Sequence, residues 1–561
     1  MIGFSVQDYT AKASEAYQCG DSVGALAVLA QALKTYPKEP SLWHHTGGLM
    51  LQSGNGEGAS EHFGQAFALA PAEFDFAIDQ AIALTTLEKY HDALRILAGI
   101  EKKARRHAHY WSTRANAARG AGDRDNAARW YNRALSIEPT RPKALQGRAS
   151  VALERGEPDA VKRFEKALTV QSDPQLWLGK AQALDVEGRS AEARDIAEGL
   201  VKQFPHWIEG LKFLAQLNLG EGVESFDAPF HMAAERLPDD PNIPREHCRQ
   251  LGALGVAEEA ADIAAKARKR FPDDPYFAML EAMQAGIAGQ DARAEAIWAT
   301  LEYDHATRHS LEATHWVRQK DFSRADNVLN KAFALQPWNI DAWALRDIIW
   351  RKTADARHDW LHGQDGLVQF LPLHNADRVL PKAMKVLNKI HDTSHHPLGQ
   401  SLRKGGTQTR ARLFDRYEPE LKALHKAILA TLETYRNALP PADETHPLLR
   451  HRDADWRLFG SWSVRFLKGT AHHAPHLHPE GLLSSACYLI LPDDLGAGGN
   501  LKEGWLELGQ ASPDMRLDLP SLHELKPQVG HLALFPSTLY HGTRPFNIGK
   551  RMTVAFDVQV P

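Results

Sequence analysis

GALAVLAQALKTYP at 24–37, GASEHFGQAFALAP at 58–71 and NAARWYNRALSIEP at 126–139 are three copies of one pattern. In each, a small residue is followed four positions later by a large one, then three later by another alanine, and the run ends in proline. Ala25, Leu29, Ala32, Leu33 and Pro37 become Ala59, Phe63, Ala66, Phe67 and Pro71, a shift of 34. The same register passes through Ala93 and Leu97 to Ala127, Tyr131, Ala134, Leu135 and Pro139. Later copies slip by a few residues: Ala160 with Phe164, Ala193 with Ala197 and Pro205, a weak copy around Phe230 and Pro238, then Ala260, Ala294 and Ala325. The series predicts ten repeats over about residues 1–350, two of them degenerate.

The physical reading is a helix pair per repeat. Alanines let two helix backbones approach, the large residue fills the groove between them, and proline follows where the second helix stops. Trp43 with Gly47, Trp111 with Ala115 and Trp177 with Ala181 mark the first helix of their pairs. With this shared register the first 350 residues resemble tetratricopeptide repeats. The resemblance implies an all-α superhelix whose groove takes a protein or peptide partner.

Length and charge agree with a multidomain chain. At 561 residues one core is improbable. With 66 basic and 70 acidic residues there is no surplus of charge to attract nucleic acid or a membrane surface. Three scattered cysteines provide neither a disulfide framework nor a metal motif, and the first residues do not read as a signal peptide, so a cytoplasmic location is expected.

Beyond Trp350 the period changes. A helix is expected from about Pro419 to Leu439, with Leu421, Leu424, Ile428 and Leu432 on one face. From Trp456 onward, WRLFGSWSVRFLKG, LLSSACYLILP, HLALFP and RMTVAFDVQV read as strands. Residues 351–561 are therefore expected to form an α+β domain of β-sandwich or jelly-roll type.

Most of the 28 histidines lie in this second part. In HHAPHLHPEG, His476, His478 and Glu480 alternate, and on a strand residues two apart share a face, about 6.5 to 7 Å apart, suited to one metal ion. His541 follows the strand ending at Pro536, and Arg551 opens the last strand with Thr553 on its face. This spacing, with Ser484-Ser485-Ala486-Cys487-Tyr488-Leu489 and Leu534-Phe535-Pro536-Ser537, resembles the 2-oxoglutarate and Fe(II)-dependent oxygenases. His476-x-His478-Pro479 is similar to a bacterial subgroup of that family which often carries tetratricopeptide repeats in front.

The resemblance implies a double-stranded β-helix (jelly roll), Fe(II), 2-oxoglutarate as co-substrate and O2, in a dioxygenase acting as a hydroxylase. Arg551 would hold the co-substrate carboxylate. Thr553 and Tyr488 are further candidates for its pocket. The family's common triad has a carboxylate where this chain has His478, which leaves two ligand sets open: His476, His478 and His541, or His478, Glu480 and His541. His472, His473 and His531 are expected to be structural or to support the ligands. Two other functions fit the same residues: a repeat scaffold with a non-catalytic oxygenase domain, or a three-histidine cupin-type metalloenzyme that does not use 2-oxoglutarate.

Overall fold

The computed structural model describes residues 4–394, 402–403, 406–467, 472–495 and 502–560. The stretch HHPLGQSLRKGGTQT at 395–409 falls mostly outside them. The chain forms two compact units, Met1–Ala183 and Leu184–Pro561.

The first unit is helical. Val6–Gln18 and Ser22–Thr35 form the first pair, and Pro142–Glu154 with Ala160–Leu168 the fifth. A helix of 13 residues, a three-residue turn, a helix of 14 and a four-residue turn make up the step of 34. The repeated small and large residues form the core: Ala25, Leu29, Ala59, Phe63, Ala93, Leu97, Ala127 and Tyr131 are all buried. The tryptophans tie each first helix to the preceding turn, with Trp43 Nε1 donating to Pro37 O at 2.9 Å and Trp111 Nε1 to Arg105 O at 2.8 Å.

A second periodic feature ends the first helix of every pair. The residue two past it has a positive φ at Gly20, Gly54, Glu88, Gly122 and Gly156, and the series continues in the second unit from Gly188. Glycine takes this conformation without the steric cost of a Cβ. Elsewhere glycine provides space. A Cβ on Gly147 would collide with the ring of Tyr131, and Tyr131 is buried. Gly147→Ala should therefore destabilise the first unit by about 1–3 kcal/mol, checked by urea unfolding of the full chain; unchanged stability would mean that Tyr131 can move aside.

The second unit continues the helix pairs from Ser190–Gln203 to Phe322–Leu335, adds the single helix Ile340–Lys352, and then changes to α+β. Among the described residues, the helices from Val6 to Leu335 fall into ten successive pairs. The copy around Phe230 has a second helix, Ala228–Arg236, of nine residues.

Among the described residues eleven strands follow: β1 (Gln369–Pro372), β2 (Leu402–Arg403), β3 (Gly406–Gln408), β4 (Arg457–Phe466), β5 (His472–His473), β6 (Leu483–Ile490), β7 (Leu506–Leu508), β8 (His523–Leu525), β9 (His531–Pro536), β10 (His541–Thr543) and β11 (Arg551–Gln559). A six-stranded antiparallel sheet has the order β1-β9-β6-β11-β4-β3, and a three-stranded sheet the order β10-β7-β8. One face of the large sheet packs on the helices Ala376–Asp392 and Pro419–Asn437 through Cys487, Leu489, Met552, Val554, Phe556 and Val558. On its other face Tyr488, Ala533 and Phe535 meet Leu506 and Leu508 of the small sheet.

The change of element type near residue 350 falls inside this unit. Its repeat helices hold the segment before β8: Arg318 Nε donates to Asp514 O at 2.8 Å, Lys352 Nζ to Asp518 O at 3.0 Å, and Met515 packs against Trp316 and Leu345.

Among the buried histidines of this unit, His391 and His446 lie away from the strands that carry the histidine cluster and are held as neutral rings. His391 lies between Thr407 Oγ1 and Ser463 Oγ, each at 2.9 Å, and burial, aided by the charge of Arg465, pushes it down to about 3. His446, whose Nδ1 accepts from the backbone of Leu448 and Leu449, is pushed down by burial to about 4. With folded values below the unfolded value near 6.5, their contribution is complete above about pH 6.5 and is lost as pH falls toward the folded values. The loss is about 1.4 kcal/mol per pH unit for each ring. The melting temperature of the full chain should fall by several degrees between about pH 6.5 and 5, and less steeply in His446→Gln; equal slopes would remove His446 from this effect.

Candidate metal centre

Three histidines from separate parts of the chain meet beside the small sheet. His476 and His541 pair through their backbones, N to O in both directions at 3.1 and 3.0 Å. Their ring centroids are 4.3 Å apart, and the His478 ring lies 5.1 Å from His476 and 4.9 Å from His541. One ring nitrogen from each lies within 4.8 Å of the others, close enough to share an ion.

The outward nitrogens fix the tautomers. His476 Nδ1 is 2.8 Å from Ala474 O, His541 Nδ1 3.3 Å from Leu539 O, and His478 Nδ1 2.6 Å from Asp557 Oδ1. A carbonyl or carboxylate oxygen accepts only, so each Nδ1 carries the proton and each Nε2 of a neutral ring keeps its lone pair. Burial, together with the neighbouring rings, pushes His541 well below the ordinary imidazole value, and His476 to about 4. At neutral pH these two rings are neutral donors, the form that binds a transition metal.

The expected strand through His476, His478 and Glu480 is corrected. Only His476 makes a bridge; the chain then turns at Pro479 and Glu480, with Gly481 N donating to His478 O at 3.1 Å. Proline followed by Glu-Gly favours a turn over an extended run. Glu480 is exposed on this turn, its carbonyl accepting from Gln559 Nε2 at 2.6 Å, and it does not join the cluster.

Strand β11 carries the rest of the site by its alternation. Met552, Val554, Phe556 and Val558 point to the helices, leaving Arg551, Thr553 and Asp557 on the opposite face. Asp557, absent from the sequence-based candidates, orients His478 from this face. The alternation in RMTVAFDVQV, which places Asp557 six residues from Arg551, is the signal that would have found it.

Arg551 is 3% exposed, and its Nε and Nη1 are buried without a hydrogen-bond partner. Its guanidinium carbon is 5.5 Å from the centroid of Tyr488, whose buried hydroxyl neighbours the guanidinium and is pushed up by burial to about 12. Thr553 is buried opposite Tyr488 in the sheet register. An unpaired buried guanidinium costs several kcal/mol, and a bound carboxylate offsets that cost.

Of the other histidines, His473 stacks 5.6 Å from His476 with Nδ1 unpartnered, His472 pairs in register with Arg403, and His531 stacks on Phe370 at 5.1 Å.

Residues 460–557, which contain the three histidines, Arg551 and Asp557, match the family model described as "Putative 2OG-Fe(II) oxygenase". Residues 74–203 match a tetratricopeptide-repeat model. Each of the two matches covers part of the chain, the repeat model its helical part and the oxygenase model the sheet that carries the histidines. No curated protein matches it. Among solved structures, it is similar to PilF of Pseudomonas aeruginosa, with 14% identity over 37% of this chain and 96% of that one and a TM-score of 0.33. PilW, a type IV pilus biogenesis factor, gives 20%, 36%, 95% and 0.34 in the same order. A tetratricopeptide-repeat protein of Thermus thermophilus gives 24%, 32%, 99% and 0.28.

Among the described residues, no helix is long and apolar enough to cross a membrane.

Proposed function

We propose that this chain is a 2-oxoglutarate- and Fe(II)-dependent dioxygenase that hydroxylates a protein or peptide recruited by its repeat array, with the array at 1–350 and a jelly-roll oxygenase domain at 351–561. The observation that carries the reading is the convergence of three Nδ1-protonated imidazoles on the same side of the sheet as a buried arginine whose Nε and Nη1 have no hydrogen-bond partner.

His476, His478 and His541 would hold the iron, and Arg551, with Tyr488 and Thr553 beside it, would hold 2-oxoglutarate. Once bound, Fe(II) and 2-oxoglutarate supply the activation of O2, with release of succinate and CO2 and transfer of one oxygen atom to a substrate C–H bond. Arg551 offers two parallel donors to the far carboxylate, and the Tyr488 hydroxyl offers a third. Leu506, Leu508 and Phe535 pack with Tyr488 into one apolar cluster, surface that would exclude water from a bound co-substrate. Asp557 holds the proton on His478 Nδ1 and fixes the ring. In the first unit a polar cleft of about 370 Å³, lined by His109, Asn116, Lys143 and Gln146, offers the array a place for an extended partner.

Asp557→Asn should weaken Fe(II) binding about 10- to 100-fold with the fold intact, measured by anaerobic titration; unchanged affinity would show that Asp557 does not support a ligand. The function itself is tested by succinate release from 2-oxoglutarate on adding Fe(II). The reading fails if the iron-loaded chain forms no succinate with or without candidate peptides.

A further inference from the structure

The weak seventh repeat holds a second group of metal-ligating side chains, in the second unit and apart from the histidine triad. Asp227 stands at the N-cap of the short helix Ala228–Arg236, yet its carboxylate makes no capping bond to that helix. It turns instead to two histidines: His247 Nε2 lies 2.8 Å and His231 Nε2 3.2 Å from the same Asp227 oxygen, Oδ2. The ring centroids are 4.7 Å apart, and His231 Nε2 is 3.8 Å from Glu259 Oε1 on the helix Ala257–Arg270.

We propose that Asp227, His231 and His247 bind a divalent transition cation of the zinc type that clips the seventh repeat to the eighth, with Glu259 facing the open side of the site from 3.8 Å beyond His231 Nε2. A tetrahedral ion with bonds of about 2.0–2.1 Å separates its ligand atoms by roughly 3.3–3.4 Å. The observed Asp227–histidine separations of 2.8 and 3.2 Å lie just below that edge. Two imidazole nitrogens aimed at one carboxylate oxygen leave room for a cation to bind all three. The Asp227 carboxylate as ligand and the nearby Glu259 carboxylate offset the charge of a divalent ion.

The site is held on one side and open on the other. His247 is 3% exposed and stacks on Phe230 with ring planes 12° apart, whereas His231 and Glu259 are about half exposed and give an entry route. Cys248 is adjacent in sequence but buried, with Sγ bonded to Ala260 O. The donor set is therefore imidazole and carboxylate, which suits zinc, cobalt or nickel over the soft cations that choose thiolate.

The test uses the full chain carrying His476→Ala and His541→Ala, so that the triad does not compete. Titration with Co(II) should show one ion per chain with the strong visible absorption of four-coordinate cobalt, and Zn(II) should displace it and raise the melting temperature. His231→Ala, at a half-exposed position where folding is not at stake, should weaken Co(II) binding about 100-fold or more. Glu259→Gln should weaken it less. The proposal is overturned if the double variant binds no Co(II) or if His231→Ala binds it equally well; an Asp227–His hydrogen-bonded cluster is then the whole of its role.

Discussion

Iron is lost and succinate formation falls at least about 1000-fold when His541 is replaced by alanine, well beyond the roughly 10- to 100-fold that removal of an outer partner costs. His541 supplies one of three converging lone pairs and also pairs through its backbone with His476, and that backbone pairing survives the substitution. The expected loss is therefore one of chemistry rather than of fold. His476→Ala and His478→Ala should behave alike. Glu480→Ala should retain stoichiometric iron, because Glu480 lies on an exposed turn outside the cluster. Metal analysis of the four variants checks this. Loss of iron in Glu480→Ala with retention in His478→Ala would reinstate the carboxylate ligand set.

Arg551→Lys should keep iron and raise the 2-oxoglutarate concentration for half-maximal succinate formation about 30-fold to 1000-fold, corresponding to roughly 2–4 kcal/mol. The planar guanidinium of Arg551, buried with Nε and Nη1 unpartnered, can meet a carboxylate through two parallel N–H donors, and a lysine ammonium lacks that geometry. Succinate measured against 2-oxoglutarate concentration at saturating iron decides the matter. An unchanged half-saturation point would remove Arg551 from the site and favour a three-histidine enzyme of another kind.

The repeat region was legible because its signal is local. The step of 34 is the sum of two helices and two turns, and the buried alanine and large residues recur with it. The positive-φ glycines repeat at nearly the same interval and were equally visible in the sequence. Around the site, residue types and spacing pointed to His476, His478, His541 and Arg551, but conformation was less legible. The Pro479–Gly481 turn breaks the strand that alternation suggested, and it is this turn that carries Glu480 away from the rings. Asp557 escaped notice because its partner is 79 residues away and only the β11 register brings it to His478. The bonds from Arg318 and Lys352 to the segment before β8 join residues 196 and 166 positions apart, a distance at which no periodicity carries information.

The central claim is that the triad and Arg551 together form one site for iron and 2-oxoglutarate. It is tested most directly by anaerobic titration of the purified full chain with Fe(II) and then 2-oxoglutarate, followed by visible absorption. A charge-transfer band that needs both additions, saturates at one equivalent of iron, is absent in His541→Ala and requires far more 2-oxoglutarate in Arg551→Lys is the predicted result. Stoichiometric iron binding with no band at any 2-oxoglutarate concentration would contradict it.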